Sequence, residues 1–459
     1  MPGNTGKSQY SAPEEKMNQQ QKNFFRTIIT TSLNAILDRS DANPDYPFIN
    51  TKLSTATGEE FDSCSDPYWD FRKSDFIYSW IQGRGLEALT GHLNFLPVSG
   101  MDTSEQLKTA RRINNTIKRV IDGMENLRAK NNGRLWFIMH KDGTPVKIED
   151  FHTPVPMNSI PAARNYSELF YFKGLFSAAS AIGNMSLAEN AAKEFELILK
   201  EIQNNSFHTD QQPFDPNNPV TFVPGKRFLG PKMIAIGGLA NFMNAGNSSA
   251  DWYGYAARFI EEALDHHVNS HGKYPQLMDY GFIEAVKDDN TPYVTNEHIL
   301  GDPGHACEFS GLAGKCLKIK SFVQKYPILA RRMNAELPEI VTANFALGFS
   351  PHGHGICKSV DLITGTPVNT DMPWWNLPET MRAATLLHEL HPAMENIFNK
   401  CFDAFSGWFV NPKVHCMAFQ NRSAKGDIVK TIPATPDADP GYHTNLSLID
   451  VLNFSRQDM

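Results

Sequence analysis

One pattern limits the fold of this chain more than any other: apolar residues recur three and four apart, segment after segment, with loops rich in Pro, Gly and Asn between them. The stretch "NFFRTIITTSLNAILDR" (23–39) puts Phe24, Ile28, Leu33 and Ile36 near one stripe. "TSEQLKTARRINNTIKRVIDGMENLRAK" (103–130) does the same with Leu107, Ile113, Ile117, Ile121 and Leu127. Such spacing buries one face of a helix, whereas a half-buried strand needs strict alternation. The same reading predicts helices near 74–91, 165–183, 186–203, 230–245, 251–268, 303–318, 320–334, 376–391, 394–405 and 444–455, about a dozen in all. Strand-like material is short. "RLWFIMHKDGTPVKI" (134–148) is a hairpin with Asp142 and Gly143 at its turn, and "GHGICKSVDLITGTPV" (353–368) is a second,.

No linker composition divides the 459 residues and no strict repeat is visible. The pattern therefore fits one domain of stacked helix pairs over 19–459, closed as a helical barrel or left open as a solenoid. Residues 1–18 are polar and rich in Gln, Asn and Ser, as a disordered segment would be,. The proline-rich loop "NNSFHTDQQPFDPNNPVTFVPGKR" (204–227) has the length of a lid or binding loop,.

A formal charge of −7, with no dense Lys/Arg cluster, argues against a nucleic-acid partner,. Six scattered cysteines form no close pairs of the kind that hold structural zinc, and free thiols fit a reducing compartment,. Neither a secretory h-region nor a membrane span is present, so a cytoplasmic location is expected,.

Several polar groups stand where helices begin. In "GDPGHACEFSG" (301–311), Asp302 caps a helix and Pro303 suits its first turn, so His305 and Glu308 share one face,. Such a pair is either ordinary surface polarity or acid/base machinery. The small neighbours Gly304, Ala306, Gly311 and Ala313 suit a cavity wall better than a solvated face. His443 in "DADPGYHTNLSLID" (437–450) also follows a Pro-Gly turn and precedes a helix. Imidazole titrates near neutrality, so two such histidines can accept and deliver protons; each alone would serve equally well as a cap or a core group.

Arg84 in "YSWIQGRGLEAL" (78–89) lies between Gly83 and Gly85 inside a helical pattern. Two glycines there weaken the helix, which makes sense if something approaches its backbone closely. The guanidinium suits either an interhelix ion pair or the grip of a carbonyl or enolate oxygen. "DMPWWNLPETMRAATLLHEL" (371–390) sets Trp374 and Trp375 before a helix bearing Glu379. The tryptophans fill a core or stack on a sugar; Glu379 complements a helix dipole, binds hydroxyls or orients a histidine. His352 and His354 in "SPHGHGICK" lack the partners that complete a metal site, and no P-loop or dinucleotide fingerprint occurs,.

Taken in order, "YSWIQGR" (78–84), "MHKDGTPVK" (139–147), "YSELFYF" (166–172), "GPKMIAI" (230–236), "DPGHACE" (302–308), "WWNLPE" (374–379) and "PGYHT" (440–444) resemble the N-acylglucosamine 2-epimerase superfamily. That superfamily also holds cellobiose 2-epimerases and aldose-ketose isomerases. The resemblance implies an all-α fold, an (α/α)6 barrel with a few short hairpins at one end. It further implies His305 and His443 as the acid/base pair and Arg84 as the carbonyl-side cation. Glu308 and Glu379 would be supporting carboxylates, one of them fixing an imidazole, and Trp374, Tyr78 and Met233 would be substrate-contacting.

No cofactor or metal is required for that chemistry. The partner is a small sugar; a nucleotide effector and a homodimer are compatible with the sequence without being dictated by it. Met233 stands where cellobiose epimerases and the sugar isomerases carry a further histidine, which favours the N-acylglucosamine branch. "NTDMP" before the tryptophans and the 204–227 loop depart from the family pattern. Mannose-isomerase-like or cellobiose-epimerase-like action on the same site is the closest alternative. A non-catalytic sugar- or protein-binding barrel is another. A glycoside hydrolase would need a pair of carboxylates where histidines stand.

Overall fold

The computed structural model describes residues 17–214, 222–246, 250–429, 432 and 434–455, apart from the side chain of Tyr68. Among them run thirteen α-helices. These are α1 (Gln19–Ala42), α2 (Ser79–Phe95), α3 (Thr103–Ala129), α4 (Tyr166–Ala181), α5 (Met185–Gln203), α6 (Gly230–Ala245), α7 (Trp252–His266), α8 (Pro303–Leu317), α9 (Lys320–Lys325), α10 (Pro327–Gly348), α11 (Asn376–Leu386), α12 (Ala393–Ala404) and α13 (Thr444–Phe454).

Six of them close a ring. Helix α2 packs on α4, α4 on α6, α6 on α8, α8 on α11, α11 on α13, and α13 back on α2. The others form an outer layer: α1 lies against α13 and α3, α3 against α2, α5 against α4, α7 against α6, α10 against α8 and α12 against α11. This is an (α/α)6 barrel, closed rather than solenoidal. The two layers differ in sequence as burial requires. In α2, α4, α6, α8 and α11 most residues are buried, whereas α5 and α7 bury one face,.

Every strand among the described residues lies in a connection that leads from an outer helix into an inner one. The hairpin at 134–148 forms as read, with Ile138 opposite Val146 and Gly143 at φ 102°. It widens into four antiparallel strands, 76–78, 138–140, 145–149 and 153–156. The second hairpin narrows to 359–361 and 366–369 and joins strands 298–301 and 294–295. Outer-to-inner connections are therefore long, and they all gather at the N-terminal end of the inner helices. No helix among the described residues is long and apolar enough to cross a membrane.

Three sequence expectations shift. The segment 74–91 splits into a strand (Phe76–Tyr78) and α2, because Phe76 to Tyr78 find a partner strand in Ile138 to His140. Leu107, placed on the buried stripe of α3, is 57% exposed, since burial in that helix begins only at Thr109. The helix expected to end at 334 instead breaks at Tyr326 and runs on to Gly348 through Pro338. An internal proline costs about 3 kcal/mol. Leu337, Ile340, Val341 and Phe345 are all buried, and at roughly 1.5–3 kcal/mol each their burial outweighs that cost. At the chain start, Met17 is buried and Asn18 forms a capping box with Gln21. Residues 1–16 and the 215–221 part of the proline-rich loop lie outside the described residues.

The glycines around Arg84 have a clear cause. A Cβ on Gly83 would lie 2.5 Å from the Phe170 carbonyl carbon, and one on Gly174 would lie 2.2 Å from the Gly83 carbonyl oxygen. Helices α2 and α4 thus meet backbone to backbone. Gly174→Ala should destabilise the protein in urea unfolding: helix propensity gains up to ~1 kcal/mol, but a clash with immovable backbone costs roughly 1–3 kcal/mol or more.

Candidate active site

The N-terminal turns of the inner helices converge, and the polar residues singled out in the sequence sit on them. Asp302 caps α8: its Oδ1 accepts from the backbone N–H groups of Gly304 (3.0 Å) and His305 (3.1 Å). That cap aims the His305 ring at the barrel mouth, where it stacks on Trp375 at 5.2 Å and 25°. His443 is the N-cap residue of α13, and the Asp439 carboxylate collects the N–H groups of Tyr442, His443 and Thr444 at 2.9–3.4 Å. Its ring lies 5.7 Å from the same Trp375 indole, tilted by 33°. One indole thus carries both imidazoles.

The two rings have different partners. His305 Nδ1 faces Glu284 (Oε2 2.9 Å, Oε1 3.1 Å) and Asp302 Oδ2 at 3.3 Å, and Lys358 Nζ donates to that same Asp302 oxygen at 2.6 Å. His443 Nδ1 faces Glu379 Oε1 at 3.0 Å, and Glu379 is ion-paired with Arg382 on the next turn of α11. Burial works against the charge of His305, but the carboxylates of Asp302 and Glu284 overcome it and raise its pKa to about 9,. For His443 burial prevails, and the pKa falls to about 4 despite the charge of Glu308. One imidazole is held protonated and the other neutral. Burial also lifts Glu379 to about 7, against the opposing pull of Arg382.

Arg84, on the second turn of α2, is 8% exposed. Its guanidinium rests on Phe170 (4.3 Å), Trp80 (5.2 Å) and Tyr442 (5.4 Å). Its Nε is buried without a partner, and among the described residues no carboxylate hydrogen-bonds to it. Burial lowers its pKa, with only partial compensation from the neighbouring Tyr442 and from the carboxyl groups of Glu308, Asp439 and Glu379. Glu308 is buried too, and its pKa is raised by burial and then by the charge of Glu379; no donor among the described residues reaches its carboxylate. A cation and an anion that lack protein partners face the same space as the two histidines. Beneath them, Lys173 Nζ donates to the Tyr442 hydroxyl (2.6 Å) and pairs with Glu87 (2.9 Å).

The structure brings His305, Glu308, Glu379, His443 and Arg84 together. Glu308 does not touch His305, its neighbour at i+3; it lies with Glu379 and His443, their ligating atoms within 4.8 Å of one another. Trp374 stands beside the site. Its Nε1 donates to Thr444 (3.2 Å) and its ring meets His443 edge-on at 6.2 Å, so Trp375 is the residue both imidazoles face. Tyr78 is fully buried, packed on Phe137 and Phe214, with its hydroxyl given to the Phe71 carbonyl at 2.7 Å. That hydroxyl is thus committed to the fold. Met233 is buried in the first turn of α6. His354 packs against Trp408 at 4.0 Å, tilted by 52°, and joins no ligand set among the described residues.

The sequence reading missed Glu284, Lys358, Trp375 as the shared platform, and Arg382. Glu379 and Arg382 are three apart, and that spacing was a usable signal. Glu284 and Lys358 lie in irregular connections, where no periodicity marks a direction. Two sets of donor atoms have a compact geometry that could ligate a cation: Glu284, Asp302 and His305, and Glu308, Glu379 and His443. Lys358 in the first and Arg382 in the second already supply the positive charge that a cation would bring.

The histidines also shape the pH response of the fold. His92 and His267 are fully buried with pKa values lowered to about 3 by burial, and His443 to about 4. In the unfolded chain each imidazole takes a proton near 6.5, while in the fold it does not. The unfolded state binds more protons below that pH, so stability falls as pH drops from about 6.5 toward 4. His305 acts the other way, with stability lost as pH rises through about 9. Urea midpoints measured between pH 8 and pH 4 should fall along the acid limb. His92→Gln, at the far end of α2, should flatten that limb by about 2 kcal/mol at pH 5.

No family model and no curated protein matches the chain. Solved structures do. A D-mannose isomerase superposes with a TM-score of 0.64 at 12% identity, over 96% of this chain and 99% of that one. The cellobiose 2-epimerase of Spirochaeta thermophila gives 0.62 at 12% identity over 95% and 98%. That of Bacillus thermoamylovorans gives 0.59 at 12% over 82% and 88%. At such identity the likeness is one of fold: this chain shares its (α/α)6 barrel with two sugar epimerases and a sugar isomerase.

Proposed function

We propose that this protein is a sugar 2-epimerase that interconverts C2 epimers of the N-acylglucosamine/N-acylmannosamine type through the open-chain sugar. The observation that supports the reading most is the pair of imidazoles on one indole, each with Nδ1 tied to a carboxylate and each with Nε2 lacking a hydrogen-bond partner among the described residues. In this reading the neutral His443 removes the proton on C2, next to the C1 aldehyde. The C–H electrons move into an enolate whose oxygen is held by Arg84, the unpaired cation. His305, charged at the outset, then delivers a proton to C2 from the opposite face, and the C–H bond re-forms with inverted configuration. The reverse reaction begins from the opposite protonation states. Glu308 binds sugar hydroxyls, and Met233 in place of a further histidine supports the N-acylglucosamine side of the choice.

An aldose-ketose isomerase would use the same groups but return the proton to C1. Incubation in deuterated water with N-acetylglucosamine, N-acetylmannosamine, mannose, glucose or cellobiose separates the two, because label at C2 marks epimerisation and label at C1 isomerisation. Exchange at C2 with an N-acyl sugar is the expected result, and His305→Ala or His443→Ala should each lower kcat by about 10²–10⁴-fold. Absence of exchange with all five sugars would reject the proposal. Tight sugar binding without turnover, insensitive to both substitutions, would instead favour a non-catalytic sugar-binding barrel.

A further inference from the structure

The partners of His305 divide their work by valence. Asp302 has most of its capacity committed: Oδ1 accepts two backbone N–H groups of the α8 cap, and Oδ2 accepts Lys358 Nζ at 2.6 Å,. Its approach to His305 Nδ1, at 3.3 Å, is the longer one and is shared with the lysine. Glu284 presents both oxygens to Nδ1, at 2.9 and 3.1 Å, and its carboxylate has no other hydrogen-bond partner among the described residues. Glu284 belongs to the connection between α7 and α8, and its backbone N–H and C=O are both pinned, to Leu300 and Leu229. Lys358 comes from the connection between α10 and α11, one residue before the strand that pairs with 298–301. Around His305 the charged groups are therefore Glu284 on one loop, Asp302 and Glu308 on α8, and Lys358 on the other loop, with the Trp375 ring on its face.

We infer that Glu284 is the positioning residue of His305, holding Nδ1–H so that only Nε2 faces the ligand, and that Lys358 is its counterweight, drawing Asp302 away from the imidazole. Their effects on the ring are opposite in sign. The negative Glu284 favours the imidazolium, whereas the positive Lys358 disfavours it both directly and by occupying Asp302,. A merely structural role for either side chain has no reason to produce opposite shifts. In the epimerase reading, on which the kinetic part of this inference rests, the pair decides that His305 starts as the acid.

The test is a pH titration of His305 followed by NMR of histidine-labelled, sugar-free protein, in wild type, Glu284→Gln and Lys358→Met. Glu284→Gln keeps an oxygen that can accept from Nδ1–H and removes only the charge. It should lower the His305 midpoint by at least one pH unit, a tenfold loss of imidazolium at a given pH above both midpoints. Lys358→Met should raise it. If both variants titrate like wild type, or shift in the same direction, the inference is overturned. Where a C2 exchange assay is active, the alkaline limb of kcat/KM should follow these midpoints, with KM little changed. Opposite NMR shifts without C2 exchange on any sugar would leave the positioning assignment standing and remove the epimerase reading. Exchange with unmoved titrations would do the reverse.

Discussion

Closure of the inner ring is the constraint from which the rest of the molecule follows. Six helices surrounded by other helices have little solvent-facing side, so most of their residues are buried, and the polar groups of the candidate site gather toward their N-terminal ends. The ring closes tightly at α2 and α4 because Gly83 and Gly174 let two backbones touch. Once it is closed, each inner helix has its N-terminus at the end where the long connections lie. Unsatisfied N–H groups there call for acceptors, and the carboxylates that answer, Asp302 and Asp439, stand three and four residues before the two histidines,. Capping and the geometry of the candidate site are thus one arrangement: the residues that cap α8 and α13 also hold His305 and His443.

Burying this much charge is costly unless each group has a partner. Most of them do. Lys52 pairs with Asp437 at 3.0 Å and ties the segment leading to His443 to the residues after α1. Lys173 is divided between Glu87 and Tyr442, and Arg382 serves Glu379. Against this background Arg84 and Glu308, whose side chains hydrogen-bond to no protein group among the described residues, stand out. A buried guanidinium resting on three aromatic rings, with no anion of its own, is stable only in part, and a polar ligand would supply what the fold withholds,.

The fold was legible because its signal is distributed. A dozen periodic segments with short polar breaks leave little besides paired helices, and misplacing the end of α10 at 334 did not disturb that conclusion. Site residues on helix starts were legible for a related reason: a cap, a proline and the helical repeat fix where His305 and Glu379 point. What stayed hidden depends on chain paths that periodicity does not encode. Glu284 reaches His305 across 21 positions of chain and Lys358 reaches Asp302 across 56. Tyr78 shows the converse error. It belongs to a motif that borders the site, yet its own hydroxyl serves the Phe71 carbonyl, and membership of a motif says nothing about which face a side chain occupies.

The two imidazoles share a platform but differ in affinity for a proton, with pKa values of about 9 and about 4, and the difference comes from the carboxylates that flank His305: Asp302 at the cap of its own helix and Glu284 from the connection before it. Both begin with the same handicap, since burial lowers the pKa of each. At His443 the nearest carboxylate, Glu379, is already committed to Arg382, so little net negative charge reaches the ring. At His305 two carboxylates converge against one lysine. A barrel of stacked helix pairs can in this way keep its scaffold constant and tune the proton affinity of a histidine at its mouth by the charges that its helix caps and outer-to-inner connections bring there,.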